Sequence, residues 1–314
     1  IHANYTYTMN LNTSFTGDDN LYVRLKSGNH DGWSDIKTPY NTYLVAGTGK
    51  GDAFSVDKIW YSTSLGERNT FWIGPKIENY YMHATTPSIY KPVLKAFTLG
   101  GNAAAYGAST SPGAGWAYNA DNGFAISSNF TTQKGNTNTG MLGDDGKTSW
   151  ATQVGFTKPQ YSVSAILNQK YNGWTDSYFK TDDGSARPGD GNSTNIGLRG
   201  WWRPEDSGTK VPSISLGYDF STVDGQTQDT SAYFVGLGWQ DIFNPDDRIG
   251  FAIGQPQTRD DEAADPLAWE LYYAYQVNDS VTVTSTLFAG EDRKGDPNVG
   301  SDFKAAVVET TLKF

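Results

Sequence analysis

The chain has 314 residues, carries a formal net charge of -10 and contains no cysteine. The negative charge argues against a nucleic-acid partner, and without cysteine neither disulfides nor thiolate metal sites can form. The 35 glycines and 14% aromatic residues are typical neither of disordered nor of helical chains. No run approaches the roughly eighteen apolar residues of a membrane helix.

Apolar and polar residues alternate along most of the chain, beginning with ANYTYTMNLNTSF (3–15). Tyr5 and Tyr7 share one face of that stretch, and Thr6 and Thr8 share the other. A period of two residues predicts a β-strand with one apolar and one polar face. Similar patterns predict strands at 21–27, 58–65, 69–76, 114–119, 123–131, 149–157, 161–170, 194–203, 212–220, 231–240, 248–255, 267–277, 281–289 and 302–314. The sequence therefore predicts an all-β fold with fifteen visible strands and no helix.

The connections between these strands alternate in length. Short polar turns at 17–20, 66–68, 119–122, 158–160 and 278–280 are each followed, one strand later, by a long loop rich in Gly, Asp and Asn. Outer-membrane barrels have short turns at one end, long loops at the other, and strands of about ten residues that face lipid and lumen in turn. The layout predicts a transmembrane antiparallel β-barrel, which must be closed because an open edge leaves backbone groups unpaired in hydrocarbon.

Aromatic residues support the same layout. Trp202, Trp239, Tyr275 and Phe314 occupy the lipid-facing register at the short-turn ends of their strands, and Trp269 marks the opposite rim. Rings at these positions can lie at the depth of the lipid headgroups, which makes outer-membrane lipid a predicted partner. The alternative is a soluble β-sandwich with the rings in its core, but a sandwich does not require fifteen similar strands with such one-sided loops.

Charged residues on the opposite, inward register would determine what passes through the barrel. Seven basic residues against three acidic ones predict a net positive wall in an acidic chain. The alternation of apolar and polar residues is interrupted near Asp57, so it does not fix the face of Lys58. Lys58 is nevertheless included among the predicted pore-lining residues. A ring of one sign sets the ion preference of a pore; the alternative is a set of salt-bridge ladders without selectivity. The predicted pore-lining residues are Arg24, Lys26, Lys58, Lys76, Lys170, Arg199, Arg203, Arg248, Asp219, Glu270 and Glu309.

A long stretch without a strand pattern runs from Glu78 to Pro112. Loops beyond about fifteen residues are usually functional or disordered, and this one is too aromatic for a disordered tether. We expect residues 78–112 to fold into the lumen as a constriction loop, and the small residues at 100–109 suit close packing against a wall. The residues expected near the narrow point are Glu78, His83, Lys91 and Lys95. The alternative is an external lid or a latch between subunits.

The sequence carries no catalytic or cofactor motif. The three histidines, His2, His30 and His83, are scattered and lack the spacing of a zinc site. AGTGKGD (46–52) lacks the first Gly and the Ser/Thr of a P-loop and is interpreted as an external loop. TDDGSARPGDGN (181–192) could hold Ca²⁺ but lacks the alternation of a known calcium loop, and a solvated loop is the alternative. No enzyme activity, metal or cofactor is predicted.

Three stretches resemble a known family: LNTSFTGDDNLYVRLKSGN (11–29), LGGNAAAYGAST (99–110) and TTLKF (310–314). They are similar to the cyanobacterial outer-membrane porins, often labelled iron uptake porins and related to carbohydrate-selective porins. The resemblance implies a barrel of sixteen strands, a homotrimer, and an N-terminal S-layer-homology domain that binds a peptidoglycan-linked polymer. It also implies that the terminal aromatic Phe314 is presented to the barrel assembly machinery.

Strand parity predicts one further strand. If Phe314 ends at the periplasmic side and strand directions alternate, the strand that begins near Ala3 runs from outside to inside. A chain that enters from the periplasm needs one more strand before it. We therefore expect residues 1–314 to be the pore domain of a barrel of about sixteen strands, without its first strand and without the wall anchor.

The predicted function is passive diffusion of inorganic ions and small hydrophilic solutes. A weak preference for small anions is expected, because charges at a narrow constriction act at short range whereas distant loop charges are screened by salt. The alternative is a carbohydrate-binding barrel or an adhesin without channel activity, although the aromatic residues follow the lipid-facing period. Iron as the cargo comes only from the family label, and a basic wall does not favour it.

Overall fold

The computed structural model describes residues 1–30, 43–101, 104–107, 109–174, 191–225, 229–260, 266–291 and 302–314. Its strands form one antiparallel sheet of fifteen strands, in which strands that are neighbours in the sequence are neighbours in the sheet. The predicted all-β antiparallel architecture is confirmed, and every predicted strand is present. Among the described residues, no helix has the length and apolar character needed to cross a membrane.

The observed strands differ from the predicted ranges by a few residues at their ends. They are β1 Thr6–Thr13, β2 Asp19–Gly28, β3 Ser55–Leu65, β4 Asn69–Ile77, β5 Ser111–Asn119, β6 Phe124–Gln133, β7 Lys147–Lys158, β8 Tyr161–Lys170, β9 Ser193–Trp202, β10 Ser213–Val223, β11 Thr230–Gln240, β12 Arg248–Arg259, β13 Ala268–Asn278, β14 Val281–Gly290 and β15 Phe303–Leu312. Short 3₁₀ helices at Asn79–Met82, Lys95–Gly100 and Ala104–Tyr106 lie between β4 and β5.

The two faces of the sheet differ in polarity. In β8, Val163 and Leu167 are 55% and 42% exposed, whereas Ser162, Ser164 and Asn168 are buried. Because successive side chains of a strand point to opposite faces, the alternation in the sequence becomes an apolar, exposed outer face and a more polar inner face. The outer face has the composition that contact with lipid requires.

A β-bulge accounts for the predicted slip near Asp57. Where β2 pairs with β3, Arg24 lies opposite Lys58 but Leu25 lies opposite Val56. Asp57 is therefore an extra residue in β3, and such a residue locally breaks the alternation of faces. As a result both Asp57 and Lys58 reach charged partners on the inner side of the sheet.

A second bulge, in β4, changes the face on which the predicted pore-lining residue Lys76 lies. β3 and β4 pair Ile59 with Lys76 and Tyr61 with Ile73, so β4 carries one extra residue between these two pairs. The bulge places Lys76 on the outer face, where its exposed ammonium donates a hydrogen bond to the Val56 carbonyl at 2.6 Å. Alternation counted without the bulge assigns Lys76 to the inner face. The extra residue shifts it to the outer face, so the prediction that Lys76 lines the pore is wrong.

The two edge strands approach each other without pairing. No backbone ladder joins β1 to β15 in the described part of the chain. The rings of Tyr7 in β1 and Phe314 after β15 nevertheless lie 5.9 Å apart. A sheet of fifteen strands can bring its first and last strands this close only by curling into a nearly complete barrel.

The rim aromatics lie on the predicted face. Trp202, Tyr275 and Phe314 are 40%, 42% and 98% exposed on the outer face, next to the short connections. The indole N–H of Trp239 donates to the Lys210 carbonyl at 3.0 Å. Trp269 lies at the other end of β13. The alternation of β15 is also confirmed, since Thr310 and Leu312 are exposed outside while Glu309 lies on the inner face.

Candidate functional site

Residues 78–110 connect β4 to β5, and those of them that the structure describes, termed the inner segment, lie against the inner face of the sheet. Its three 3₁₀ helices contact, in chain order, β4 to β7, β10 to β12, and β8 to β10. Met82, Leu94, Phe97 and Tyr106 are almost completely buried. The inner segment therefore crosses the inner side of the sheet and packs on its wall, with β5 beginning at Ser111.

Near β6 and β7 the inner segment is held by buried amides. The Asn79 side chain donates to the Asn129 side-chain oxygen at 2.8 Å and to the Ser149 carbonyl at 3.1 Å. Gln153 accepts from the Thr85 N–H at 2.8 Å and donates to the Thr85 carbonyl at 3.0 Å. Buried polar groups are costly unless they are hydrogen-bonded, so these pairs fix the segment at one position on the wall.

The middle of the inner segment is attached to β13 through one carboxylate. Glu270 is fully buried and accepts hydrogen bonds from the Tyr90 hydroxyl at 2.9 Å, the Val93 N–H at 3.1 Å and the Leu94 N–H at 2.6 Å. Because three donors converge on it, the carboxylate is satisfied without a basic partner. Glu270 lies on the inner face, as predicted. Its carboxylate, however, is buried under the inner segment and anchors it.

A buried ion pair holds the following part of the inner segment. Arg199 and Asp219 lie 2.7 Å apart with side chains 1% and 4% exposed. The Arg199 Nε donates to the Leu99 carbonyl at 2.8 Å, and the guanidinium lies 4.7 Å from the centre of the Tyr106 ring. A Cβ on Gly217 would lie 1.8 Å from the backbone oxygen of the passing segment, so glycine permits this approach.

A second stretch folds inward, which sequence reasoning missed. Leu44 pairs with Leu94, the Val45 N–H donates to the Val93 carbonyl at 2.8 Å, and the Lys95 N–H donates to the Tyr43 carbonyl at 2.9 Å. Tyr43 and Leu44 are buried. The four consecutive apolar residues Tyr43 to Ala46, unusual in a polar loop, are the signal that could have predicted it.

Charged side chains gather where the inner segment faces β2 and β3. Arg24 forms an ion pair with Asp57 at 2.5 Å and donates to the Tyr81 hydroxyl at 3.1 Å. The buried Lys58 forms an ion pair with Glu78 of the inner segment. The bulge at Asp57 supplies the acidic partner that strict alternation places on the other face.

Lys26 and Lys95 add two further cations to this cluster. Lys95 interacts electrostatically with Glu78, Lys58, Lys26 and Arg24. Burial lowers the pKa of Lys95 to about 8, although the nearby Glu78 acts in the opposite direction. Basic residues outnumber acidic ones here, so the cluster carries net positive charge at neutral pH.

The predicted pore-lining residues fall into three groups. Buried on the inner face are Lys58, Lys170, Arg199, Asp219 and Glu270. On the inner face with partly or fully exposed side chains are Arg24, Lys26, Arg248 and Glu309. The third group is Lys76, which lies on the outer face, and Arg203, which is exposed just beyond β9, where its Nε donates to the Pro159 carbonyl at 2.8 Å and its guanidinium lies 5.9 Å from the centre of the Trp201 ring. The accessible positive charge is therefore smaller than the inward residue count suggests.

The four residues expected at the constriction differ in charge. Glu78 is buried and paired with Lys58. His83 lies with its Nδ1 3.1 Å from the side-chain amide of Asn129, and burial lowers its pKa to about 3, so the ring is neutral at physiological pH. Lys91 is exposed and Lys95 partly exposed. Only these two lysines can present net charge to solvent.

The described residues contain no group of three or more His, Asp or Glu side chains arranged to hold a metal ion. Most of the candidate calcium stretch, 181–190, lies outside the described residues. The acidic loop TRDDEAAD (258–265) is also only partly described, because residues 261–265 lie outside the described residues.

A curled antiparallel sheet with an inward-folded segment is the architecture of a porin-type β-barrel. By sequence, the chain matches no family model and no curated protein. By structure it is similar to OprB of Pseudomonas putida, with a TM-score of 0.65 and 12% identity over 98% of this chain and 86% of that chain.

Two further solved structures have the same fold. A mutant porin of Rh. blastica has a TM-score of 0.56 and 11% identity, covering 99% of this chain and 90% of that chain. OmpT, an outer membrane protein of Vibrio cholerae in its trimer form, has a TM-score of 0.54 and 13% identity, covering 97% and 87%. At these identities the likeness shows the fold, and none of these matches carries the narrower resemblance to cyanobacterial porins.

Proposed function

We propose that the protein is an outer-membrane porin that lets inorganic ions and small hydrophilic solutes diffuse passively. The observation that carries the proposal is the inner segment, which crosses the inner side of the barrel wall, carries Lys95 and faces Arg24 and Lys26 of β2. A segment anchored in this way narrows the lumen, and charge at a narrow point acts strongly on a passing ion. The outer face of the barrel contacts membrane lipid.

Planar bilayers test this proposal directly. We expect the detergent-purified protein to migrate faster in SDS before heating than after it, because the hydrogen-bonded wall resists unfolding, and to give stable single-channel steps. Heated protein is the matched control and should give no steps. A protein that is folded by the migration test but gives no conductance would contradict the porin function and favour a binding barrel.

The pH dependence of selectivity tests the role of Lys95. A lysine with a pKa lowered to about 8 is charged at pH 6 and loses its proton as the pH rises through 8. We expect the preference for anions to weaken between pH 7 and pH 9, measured as a reversal potential under a KCl gradient. Lys95→Met should abolish most of this dependence. A preference that stays constant from pH 6 to pH 9 in the unmodified channel would contradict the assignment.

We also propose a homotrimer, by analogy with the neighbour described in a trimer form. Size-exclusion chromatography with light scattering in detergent should then give three chains per particle. A monomer at all detergent concentrations would contradict it.

Two finer proposals concern the closure of the barrel and its attachment to the cell wall. The edges of β1 and β15 have no ladder partner among the described residues, and backbone groups inside a membrane must be paired, which supports the proposal of one additional strand between them. The resemblance of 11–29, 99–110 and 310–314 to cyanobacterial porins supports an S-layer-homology domain that binds a peptidoglycan-linked polymer. A structure of a longer chain in which β1 pairs directly with β15 would contradict the additional strand.

A further inference from the structure

A cavity of about 400 Å³ lies on the inner face near the short-turn ends of β12 to β15. Its wall comes from these four strands, and Lys91 to Val93 of the inner segment, with Val45 and Ala46, lie across it. The volume is within the range of about 300–1,000 Å³ of small-molecule sites. The cavity is distinct from the charged cluster at β2 and β3.

One cross-strand row runs along the wall of this cavity. Arg248 pairs with Ala274, Ala274 with Thr284, and Thr284 with Glu309. The row therefore has a cation at one end and a carboxylate at the other, with small side chains between them. Three interstrand spacings separate the ends by about 14 Å along the sheet, so Arg248 and Glu309 face each other across a trough.

Neither end of the row is neutralised by an ion pair. Within the described residues, Arg248 and Lys91 have no ion-pair partner, in contrast to Arg24, Lys58 and Arg199. Glu309 accepts one hydrogen bond, from Thr311 at 3.2 Å. Asp246 and Lys313 also line the cavity and offset each other in charge.

We propose that this trough binds small zwitterionic solutes, such as free α-amino acids, during their passage through the channel. Arg248, assisted by Lys91, takes the carboxylate, since a guanidinium presents two parallel donors to it. Glu309 takes the ammonium group, and the small Ala274 and Thr284 leave room for the body of the solute. The inference rests on the proposed porin function and names a solute class for it.

The test compares two isomers of equal size in proteoliposomes: alanine, which is a zwitterion, and lactamide, which is neutral. At low concentration we expect labelled alanine to enter at least five-fold faster than lactamide, and its rate to saturate. Arg248→Gln and Glu309→Gln should each reduce the alanine rate to about that of lactamide. Exchanging the charges in the double variant R248E/E309R should restore part of the difference. Arg203→Gln, which removes a cation outside the cavity, is the matched control and should change nothing.

Lactate, a plain carboxylate, separates this proposal from simple anion binding. Glu309→Gln should raise the lactate rate while it lowers the alanine rate. Equal alanine and lactamide rates in a conducting channel would overturn the proposal, as would an alanine rate that Glu309→Gln leaves unchanged. Absence of conductance in planar bilayers would instead overturn the porin function itself.

Discussion

Replacing Asp219 by Asn is expected to free part of the inner segment and to make the channel current larger and noisier. Asp219 is the buried partner of Arg199 at 2.7 Å. Removing one partner of a buried ion pair costs about 3–5 kcal/mol, because the other charge is left uncompensated. Arg199 also holds the Leu99 carbonyl and the Tyr106 ring, so its displacement reaches the segment directly. Single-channel conductance and current noise measure the effect.

An exposed ion pair provides the matched control. Arg68 and Asp121 join two short turns, with side chains 45% and 77% exposed. Exposed pairs contribute little to stability, so Asp121→Asn should leave conductance and noise unchanged. If Asp219→Asn behaves in the same way, the remaining contacts of the inner segment, among them Glu270, the buried amides and the Lys58–Glu78 pair, are sufficient to hold it.

Ion selectivity should reverse when two accessible cations are replaced by glutamate. We expect a weak preference for small anions in the unmodified channel and a preference for cations in the variant K26E/R248E. Within the described residues neither side chain has an ion-pair partner, and both lie on the inner face. In water a unit charge about 7 Å from an ion changes its energy by about 0.6 kcal/mol. Reversing one charge shifts anions and cations in opposite directions, by about 2.4 kcal/mol in total without salt, and screening at physiological ionic strength reduces this to about 1 kcal/mol. The ratio of anion to cation permeability therefore changes about five-fold for each reversed charge. Reversal potentials under a salt gradient measure this ratio.

Lys76→Glu is the control that also tests the bulge in β4. It makes the same change of charge, but Lys76 lies on the outer face opposite Ile59, so the selectivity should not move. A shift comparable to that of the double variant would mean that the register of β4 is wrong. Cation selectivity in the unmodified channel would mean that acidic loop residues line its narrowest part.

Arg199 is unsuitable for such a charge reversal, although alternation alone makes it an equal candidate. A glutamate at 199 would stand beside the buried Asp219 and destroy the anchor of the inner segment. The effect on current would then report a structural change. Only the contacts of Leu99 and Tyr106 with its guanidinium and the buried Asp219 distinguish Arg199 from Arg248 as a site for charge reversal.

The strands were predictable because their signal is local. In β8 and β15 each residue's face follows from its parity, since a strand has a period of two and one face must be apolar. The aromatic rings at Trp202, Tyr275 and Phe314 could be assigned to the outer face for the same reason. The inner segment could be recognised as a long aromatic stretch, but its path could not.

The sequence by itself determined the all-β fold, the order of the strands and most of the inward-facing residues, because alternation needs only neighbouring positions. The tertiary structure decided which of these residues keep an accessible charge. Lys58, Arg199 and Glu270 are buried by partners that lie far away in the sequence, and the bulge in β4 moves Lys76 to the outer face. An extra residue in a bulge is revealed only by strand pairing, so a count of odd and even positions misassigns the residues beyond it. Burial by a segment that is distant in the sequence does not change the local alternation and therefore cannot be predicted from it. The row from Arg248 to Glu309 likewise exists only because the register of four strands aligns it.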